Sequence, residues 1–177
     1  EPDGEILIQS QRSAAGIYHK HAHELVAHGH AYRCYCTPKR LEKLRVQQEH
    51  RKQPSRYDGT CRSLAPDNIR DHEQKGTPYV IRLKIPDTTE VIEAKDGIHG
   101  IVRFDAATLT DAVILKSDGF PTYHLASVVD DHAQQVTHII RGEEWLPSLP
   151  LHKILYEYFK YTIPQFYHLP LILNSDR

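Results

Sequence analysis

Two sets of side chains in this sequence have the types and spacing to do chemistry. The first is Arg141, at the end of the apolar, β-branched run Val136 to Ile140, with Tyr123 opening a helix candidate upstream. The end of a buried strand is where ligand sites of α/β sheets collect. A guanidinium there can grip a carboxylate through two parallel hydrogen bonds, and a phenol adds a further donor. The plainer alternatives are an Arg141 paired at the surface with Glu143 or Glu144, and a Tyr123 that is a half-buried core ring. The second set is Cys34-Tyr35-Cys36 followed, after a helix candidate, by Tyr57-Asp58-Gly59-Thr60-Cys61. The chain can fold back over that helix and gather all four side chains. Three thiolates leave zinc one ligand short of a tetrahedron, and a metal can lower the pKa of a phenol to supply the fourth. Three reduced thiols in a small core is the competing reading.

Weaker signals surround these. Lys39, Arg40, Lys43, Arg45, Arg51, Lys52, Arg56 and Arg62 form a basic run, suited to phosphate contact without base reading, or equally to a solvated helix face. His19, His21, His23, His28 and His30 have mixed spacing that defines no site and read as surface. Asp130-Asp131 reads as a structural pair at a helix end.

The 177 residues suffice for one large domain or two small ones. Hydrophobic residues at 40% and charged residues at 25% fit a soluble globular chain, and a formal net charge of −1 gives no global attraction to nucleic acid or membrane. No apolar run has the length of a membrane span, and Glu1-Pro2-Asp3-Gly4 lacks the pattern of a signal peptide. Three clustered cysteines do not form a disulfide framework and fit a reducing compartment. The lack of Met, with the end at Asn174-Ser175-Asp176-Arg177, reads as a piece of a longer or edited protein.

The elements that must position these groups follow from periodicity. Ile17, Ala22, Leu25 and Val26 predict a helix over Ala14 to His28. Ala31 to Cys36 is a short strand or turn, and Thr37-Pro38 an N-cap followed by proline in the first helical turn. Asp67 to Lys75 is a polar helix ended by Gly76. Alternation then marks strands over Val80 to Ile85, Glu90 to Glu93, Gly100 to Phe104 and Ala112 to Leu115, so the region to about residue 115 reads as α+β. Beyond it, helix Tyr123 to Asp131, buried strand Val136 to Ile140, helix Leu151 to Tyr161 and strand Phe166 to Leu173 suggest part of a parallel α/β sheet.

Several long stretches carry a family resemblance. Asp118-Gly119-Phe120-Pro121-Thr122-Tyr123-His124-Leu125-Ala126-Ser127-Val128-Val129-Asp130-Asp131-His132, then Thr137-His138-Ile139-Ile140-Arg141-Gly142-Glu143-Glu144-Trp145-Leu146-Pro147-Ser148, resemble the second half of a glutamyl-tRNA synthetase active site. His168-Leu169-Pro170-Leu171-Ile172-Leu173-Asn174 resembles the strand running into that family's KMSKS loop, and Gln9-Ser10-Gln11-Arg12 the stretch before its insertion domain. The resemblance implies an α/β fold: part of a doubly wound, Rossmann-like nucleotide-binding catalytic domain with an α+β insertion. Residues 1–30 would lead into the insertion, 31–115 would form it and bind the tRNA acceptor stem, and 116–177 would be the second half of the catalytic domain.

The activity so implied is ATP-dependent attachment of L-glutamate to its tRNA, in a monomeric ligase of the bacterial cytoplasm or mitochondrial matrix, without membrane contact and with Mg2+ beside the ATP. Arg141 would hold the substrate's side-chain carboxylate, with Tyr123 and, at a position often Asn in the family, Ser127. Glu144, Trp145, Leu171 and Ile172 would border ATP and the terminal adenosine of the tRNA. The pattern of Cys34, Cys36, Tyr57 and Cys61 resembles the zinc site of some members. HIGH and KMSKS, which hold the ATP phosphates, are absent, so no catalytic residue is assigned and weak activity is expected of this chain alone. A non-catalytic acceptor-binding zinc module and a glutamyl-queuosine tRNA synthetase are the alternatives. The sequence departs from the family at Ala133-Gln134-Gln135 and Ser13-Ala14-Ala15-Gly16, where bulkier apolar groups are usual; weakened packing is expected there.

Overall fold

The computed structural model describes residues 8–87 and 91–171. Six helices, α1 (Gln9–Ala14), α2 (Ile17–Ala27), α3 (Pro38–His50), α4 (Pro66–Gln74), α5 (Tyr123–Ala133) and α6 (Leu149–Phe159), accompany seven strands among these residues. The strands are β1 (Ala31–Cys34), β2 (Val80–Leu83), β3 (Val91–Asp96), β4 (Gly100–Asp105), β5 (Val113–Leu115), β6 (His138–Gly142) and β7 (Gln165–Leu169). They build two sheets. One is antiparallel, in the order β1-β2-β5; the other runs β4-β3-β7-β6. In the second sheet β6 and β7 are parallel, from His138 opposite Gln165 to Gly142 opposite Leu169, and α6 makes the crossover. The β3–β4 hairpin joins the same sheet through Asp96 opposite Phe166 on β7. A continuous apolar core, from Tyr18, Leu25, Ile81 and Ile114 to Val128, Leu155 and Phe166, lies under both sheets. No described helix is long and apolar enough to cross a membrane.

Local sequence explains the joints. The helix expected over Ala14 to His28 begins only at Ile17, after α1 has ended at Ala14, because Gly16 takes a left-handed backbone (φ 74°) that glycine adopts without a side-chain penalty. Thr37 caps α3 as expected, its hydroxyl accepting from the Arg40 amide at 3.3 Å with Pro38 in the first turn. At Gly97 a Cβ would sit 2.1 Å from the Tyr167 ring, so glycine lets the hairpin close onto β7.

Four expectations need correction. The strand around Val136 to Ile140 is not buried: Ile140 is 65% exposed. Among the described residues β6 pairs along one edge only, and one face of it is open. Gln134 and Gln135 are exposed, as are Ala14 and Ala15, so small or polar residues there cost no packing. The strand placed at Glu90 to Glu93 continues to Asp96, and Glu90 lies outside the described residues. The histidines near the N-terminus are not simply surface: His30 stacks on Tyr158 at 4.0 Å, His21 meets Phe159 edge-on at 5.7 Å, and His23 lies 3.3 Å from the Tyr79 hydroxyl.

Asp130 ties α1, α2 and α5 together. It accepts from the Tyr18 hydroxyl at 2.8 and 2.9 Å and from Gln9 at 2.8 Å, and pairs with Arg12, 1% exposed, at 2.8 Å. Burial, reinforced by Asp130, pushes the Tyr18 phenol up to about 12, which keeps it a donor. Removing one member of a buried ion pair strands the other charge. Asp130→Ala is expected to lower unfolding free energy by about 3–5 kcal/mol, and Tyr18→Phe by about 1 kcal/mol, in urea denaturation. Equal, small losses from both would contradict the ion pair's weight in this joint.

Candidate functional site

Arg141 leaves β6 at the carboxyl end of the parallel pair, where backbone pairing sets it opposite His168 of β7. Its Nε donates to His168 Nε2 at 2.8 Å. One terminal nitrogen, Nη1, donates to the Tyr123 hydroxyl at 3.0 Å and approaches His152 Nδ1 at 3.4 Å. The other, Nη2, is buried and has no hydrogen-bond partner among the described residues. Neither Glu143 nor Glu144 pairs with Arg141; Glu143 accepts instead from the Leu171 amide at 3.4 Å. The two-bond grip foreseen from sequence is therefore half taken, since Nε and Nη1 are engaged within the chain. What the arrangement offers a carboxylate is Nη2 together with the Tyr123 proton, because a hydroxyl that accepts from Arg141 can still donate.

Donor and acceptor accounting fixes the surrounding imidazoles. His168 Nε2 faces an Arg141 N–H and must carry a lone pair, so its proton is on Nδ1, which donates to Asp96 Oδ2 at 2.7 Å. Asp96 and His168 are both essentially fully buried. Burial pushes the Asp96 carboxyl up, but hydrogen bonds from the His99 amide, the His168 ring and the Ile98 amide outweigh it and hold Asp96 below its ordinary range. On the other side, His152 Nδ1 faces Arg141 and its Nε2 lies 3.2 Å from His124 Nδ1. Burial, then the Arg141 charge, drive His152 down to about 3, and burial and Arg141 also lower His124.

The remaining residues of the expected site surround this cluster. The half-exposed Trp145 ring lies 4.6 Å from that of Tyr123. Ser127 does not reach Arg141; it donates to Asp131 at 3.1 Å along its own helix. Asp131 is raised by burial and by Asp130. Glu144 and Leu171 are exposed, and Ile172 lies outside the described residues. A cavity of about 620 Å³ exists elsewhere, between β3, α6 and the start of β7, and includes no member of the Arg141 cluster. Reading by residue type missed Asp96, His168, His152 and His124. Asp96 had a signal, since it takes an inward position in the alternation Ile92, Ala94, Asp96, where a carboxylate needs a partner.

The cysteine set also assembles. The three sulfurs lie within 4.8 Å of one another, with Cys36 and Cys61 3.5 Å apart. The Tyr57 hydroxyl is 3.4 Å from Cys34 and 3.5 Å from Cys36. Tetrahedral zinc with bonds of about 2.3 Å to sulfur and 2.0 Å to oxygen has edges of about 3.8 and 3.5 Å, so the donors fit that ion. A hydrogen bond from Cys61, working against burial and helped by Tyr57 and Arg82, brings the Cys34 thiol down to about 4. Burial and the thiols push the Tyr57 phenol up, so a metal would have to displace its proton. Arg40 donates to Cys36 at 3.4 Å, and the Arg82 guanidinium lies 3.9 Å from the centre of the Tyr57 ring. Of the basic run, Arg40, Arg56 and Arg62 are spent inside the protein, on Asp58, the Ala107 carbonyl and Asp111 respectively. Lys39, Lys43, Arg45, Arg51 and Lys52 remain exposed.

A βαβ unit with a cation at the carboxyl end of its strands is the arrangement at which α/β sheets collect their ligands. The family model for class I tRNA synthetases (E and Q), catalytic domain, matches residues 1–177, and the chain belongs to that family. It is 47% identical over 170 residues to a glutamate–tRNA ligase of Alkaliphilus metalliredigens, covering 96% of this chain and 34% of that protein. To the glutamate–tRNA ligase of Thermus thermophilus it is 47% identical over 163 residues, covering 91% of this chain and 33% of that protein. The crystal structure of a glutamate tRNA ligase from Elizabethkingia meningosepticum, in complex with its amino acid, superposes with a TM-score of 0.87 at 39% identity, over 93% of this chain and 34% of that one. The chain thus spans about a third of the length of these relatives.

His152 gives the site a pH signature. Its ordinary value of 6.5 falls to about 3 on folding, so between those values the unfolded chain binds the extra proton. The stabilisation is complete above 6.5 and is lost as pH falls toward 3. Urea unfolding at several pH values is expected to show this loss, at up to about 1.4 kcal/mol per pH unit for one proton. His152→Gln should flatten the slope in that window; an unaltered slope would remove His152 as its source.

Proposed function

We propose that the protein carrying this chain is a glutamate–tRNA ligase, which activates L-glutamate with ATP and transfers it to the acceptor end of glutamate tRNA. The observation that carries this reading is Arg141, whose buried Nη2 has no partner among the described residues beside the Tyr123 hydroxyl, in a chain of this family. An acidic amino acid supplies the carboxylate that such a donor pair lacks. Ser127 would contribute only by turning from Asp131. Glu144, Trp145, Leu171 and Ile172 would flank the ATP and the terminal adenosine, and Mg2+ would accompany the phosphates. Residues 31–115 would form the unit that meets the acceptor stem, with Lys39, Lys43 and Arg51 offered to phosphates. A monomer of the bacterial cytoplasm or mitochondrial matrix is the setting that goes with this reading.

Cys34, Cys36, Tyr57 and Cys61 would hold a zinc ion that braces the start of α3 against the turn ending at Cys61. With all four positions filled by protein such a site is structural. Metal analysis of the purified protein is expected to return about one equivalent of zinc, falling with Cys36→Ser; less than a tenth of an equivalent would refute the site.

The activity is tested by ATP–pyrophosphate exchange in the presence of tRNA and by charging of glutamate tRNA. Glutamate-dependent exchange and charging are expected, with Arg141→Lys raising the glutamate KM about tenfold or more. Charging of aspartate tRNA instead would point to a glutamyl-queuosine enzyme, and tRNA binding without exchange to a binding module.

A further inference from the structure

We propose that Asp96 and His168 are positioning residues for Arg141, holding its guanidinium at the angle that presents Nη2 to the substrate carboxylate. The inference rests on the assignment of Arg141 to a carboxylate and says what fixes it there. Asp96 Oδ2 accepts from His168 Nδ1 at 2.7 Å, and His168 Nε2 accepts from Arg141 Nε at 2.8 Å. Asp96 is itself held from three sides. Its Oδ1 accepts the amides of Ile98 at 2.9 Å and His99 at 3.0 Å in the hairpin turn, and its Oδ2 accepts the His168 amide at 3.2 Å. His99 returns from that turn to within 3.0 Å of the His168 carbonyl. The imidazole therefore cannot rotate without breaking the hydrogen bonds at both its nitrogens, and its tautomer is dictated by the carboxylate behind it.

This tautomer decides the geometry at Arg141. A guanidinium only donates, so the nitrogen facing it must accept. With the carboxylate replaced by an amide whose oxygen stays with the Ile98 and His99 amides, an N–H would face His168 Nδ1. The ring proton would move to Nε2, opposite Arg141 Nε–H. Two donors at 2.8 Å repel, and Arg141 would turn off the axis it now holds. A direct carboxylate–arginine pair would neutralise Arg141 and compete with the substrate; an intervening imidazole nitrogen orients the guanidinium and leaves its charge for the ligand.

Asp96→Asn in the intact protein tests this. The glutamate KM is expected to rise about tenfold or more while the ATP KM changes by less than about threefold. In 15N NMR of the ring, the protonated nitrogen of His168 should change from Nδ1 to Nε2. His168→Gln, which can still offer Arg141 an acceptor oxygen, should retain more glutamate affinity than His168→Leu; this pair decides the matter if Asp96→Asn fails to fold. An unchanged glutamate KM in Asp96→Asn, with a raised one in Arg141→Lys, would overturn the positioning role and leave the carboxylate site standing. An unchanged glutamate KM in Arg141→Lys would overturn both. A parallel loss of glutamate and ATP affinity with a lowered melting temperature would reduce Asp96 to a structural residue and overturn the proposal.

Discussion

A guanidinium carries five N–H donors and no acceptor, so one set among buried groups must be met by acceptors or by a ligand. Much of the geometry around Arg141 follows from that constraint. Three elements answer it: β7 with His168, α5 with Tyr123 and α6 with His152. Each facing group is an imidazole or a hydroxyl rather than a carboxylate, so the positive charge is oriented without being cancelled. Two of them are imidazoles that turn a ring nitrogen toward the guanidinium. His168 is held in turn by its Nδ1 hydrogen bond to Asp96 at 2.7 Å, while burial and then the Arg141 charge lower His152. A site built this way keeps its attraction for an anion because the protein has supplied hydrogen bonds in place of a counter-ion.

The cysteine cluster sets the opposite problem. Three thiols and a phenol packed within a few ångströms become mutually repulsive as they ionise. Their mutual hydrogen bonds lower the Cys34 thiol and, with burial, raise the Tyr57 phenol and the Cys61 thiol, so the groups do not ionise together. Arg40 and Arg82 bring compensating charge to the same corner. The basic run thus divides by burial. Arg40 and Arg62 answer carboxylates and Arg56 a backbone carbonyl, while the outer members face water with no comparable demand.

The sequence made the two gathering points legible because each is written in local terms. A cation at the end of an apolar β-branched run, and thiols at short spacing about a helix, say what they want from their neighbours. Thr37-Pro38 announced α3 for the same reason. Three kinds of information were not local. The break at Gly16 depends on a backbone choice that helical periodicity does not reveal. The exposure of Ile140 depends on which strands flank β6, whereas β-branched composition reports only that the strand is a strand. The role of Asp96 depends on a partner 72 residues away, which no spacing rule connects to it. His168 lay inside a recognised stretch, yet its tautomer is set by that same distant carboxylate.

The hairpin of β3 and β4 gives this last point its structural weight. It belongs to the middle of the chain, yet it extends the sheet that carries Arg141. Its pairing with β7 is short, at Asp96 opposite Phe166, with the Gly97 amide donating to the Phe166 carbonyl at 2.7 Å. So brief a ladder fixes little by hydrogen bonds of its own. Gly97 removes the side chain that would hold the turn off the Tyr167 ring, and Asp96 enters the core where the His168 imidazole donates a hydrogen bond to it. Burying a carboxylate is costly unless every lone pair is used, and a slip of the hairpin by one residue would turn Asp96 outward and leave the His168 ring without an acceptor. The register of the hairpin and the orientation of Arg141 are therefore one constraint.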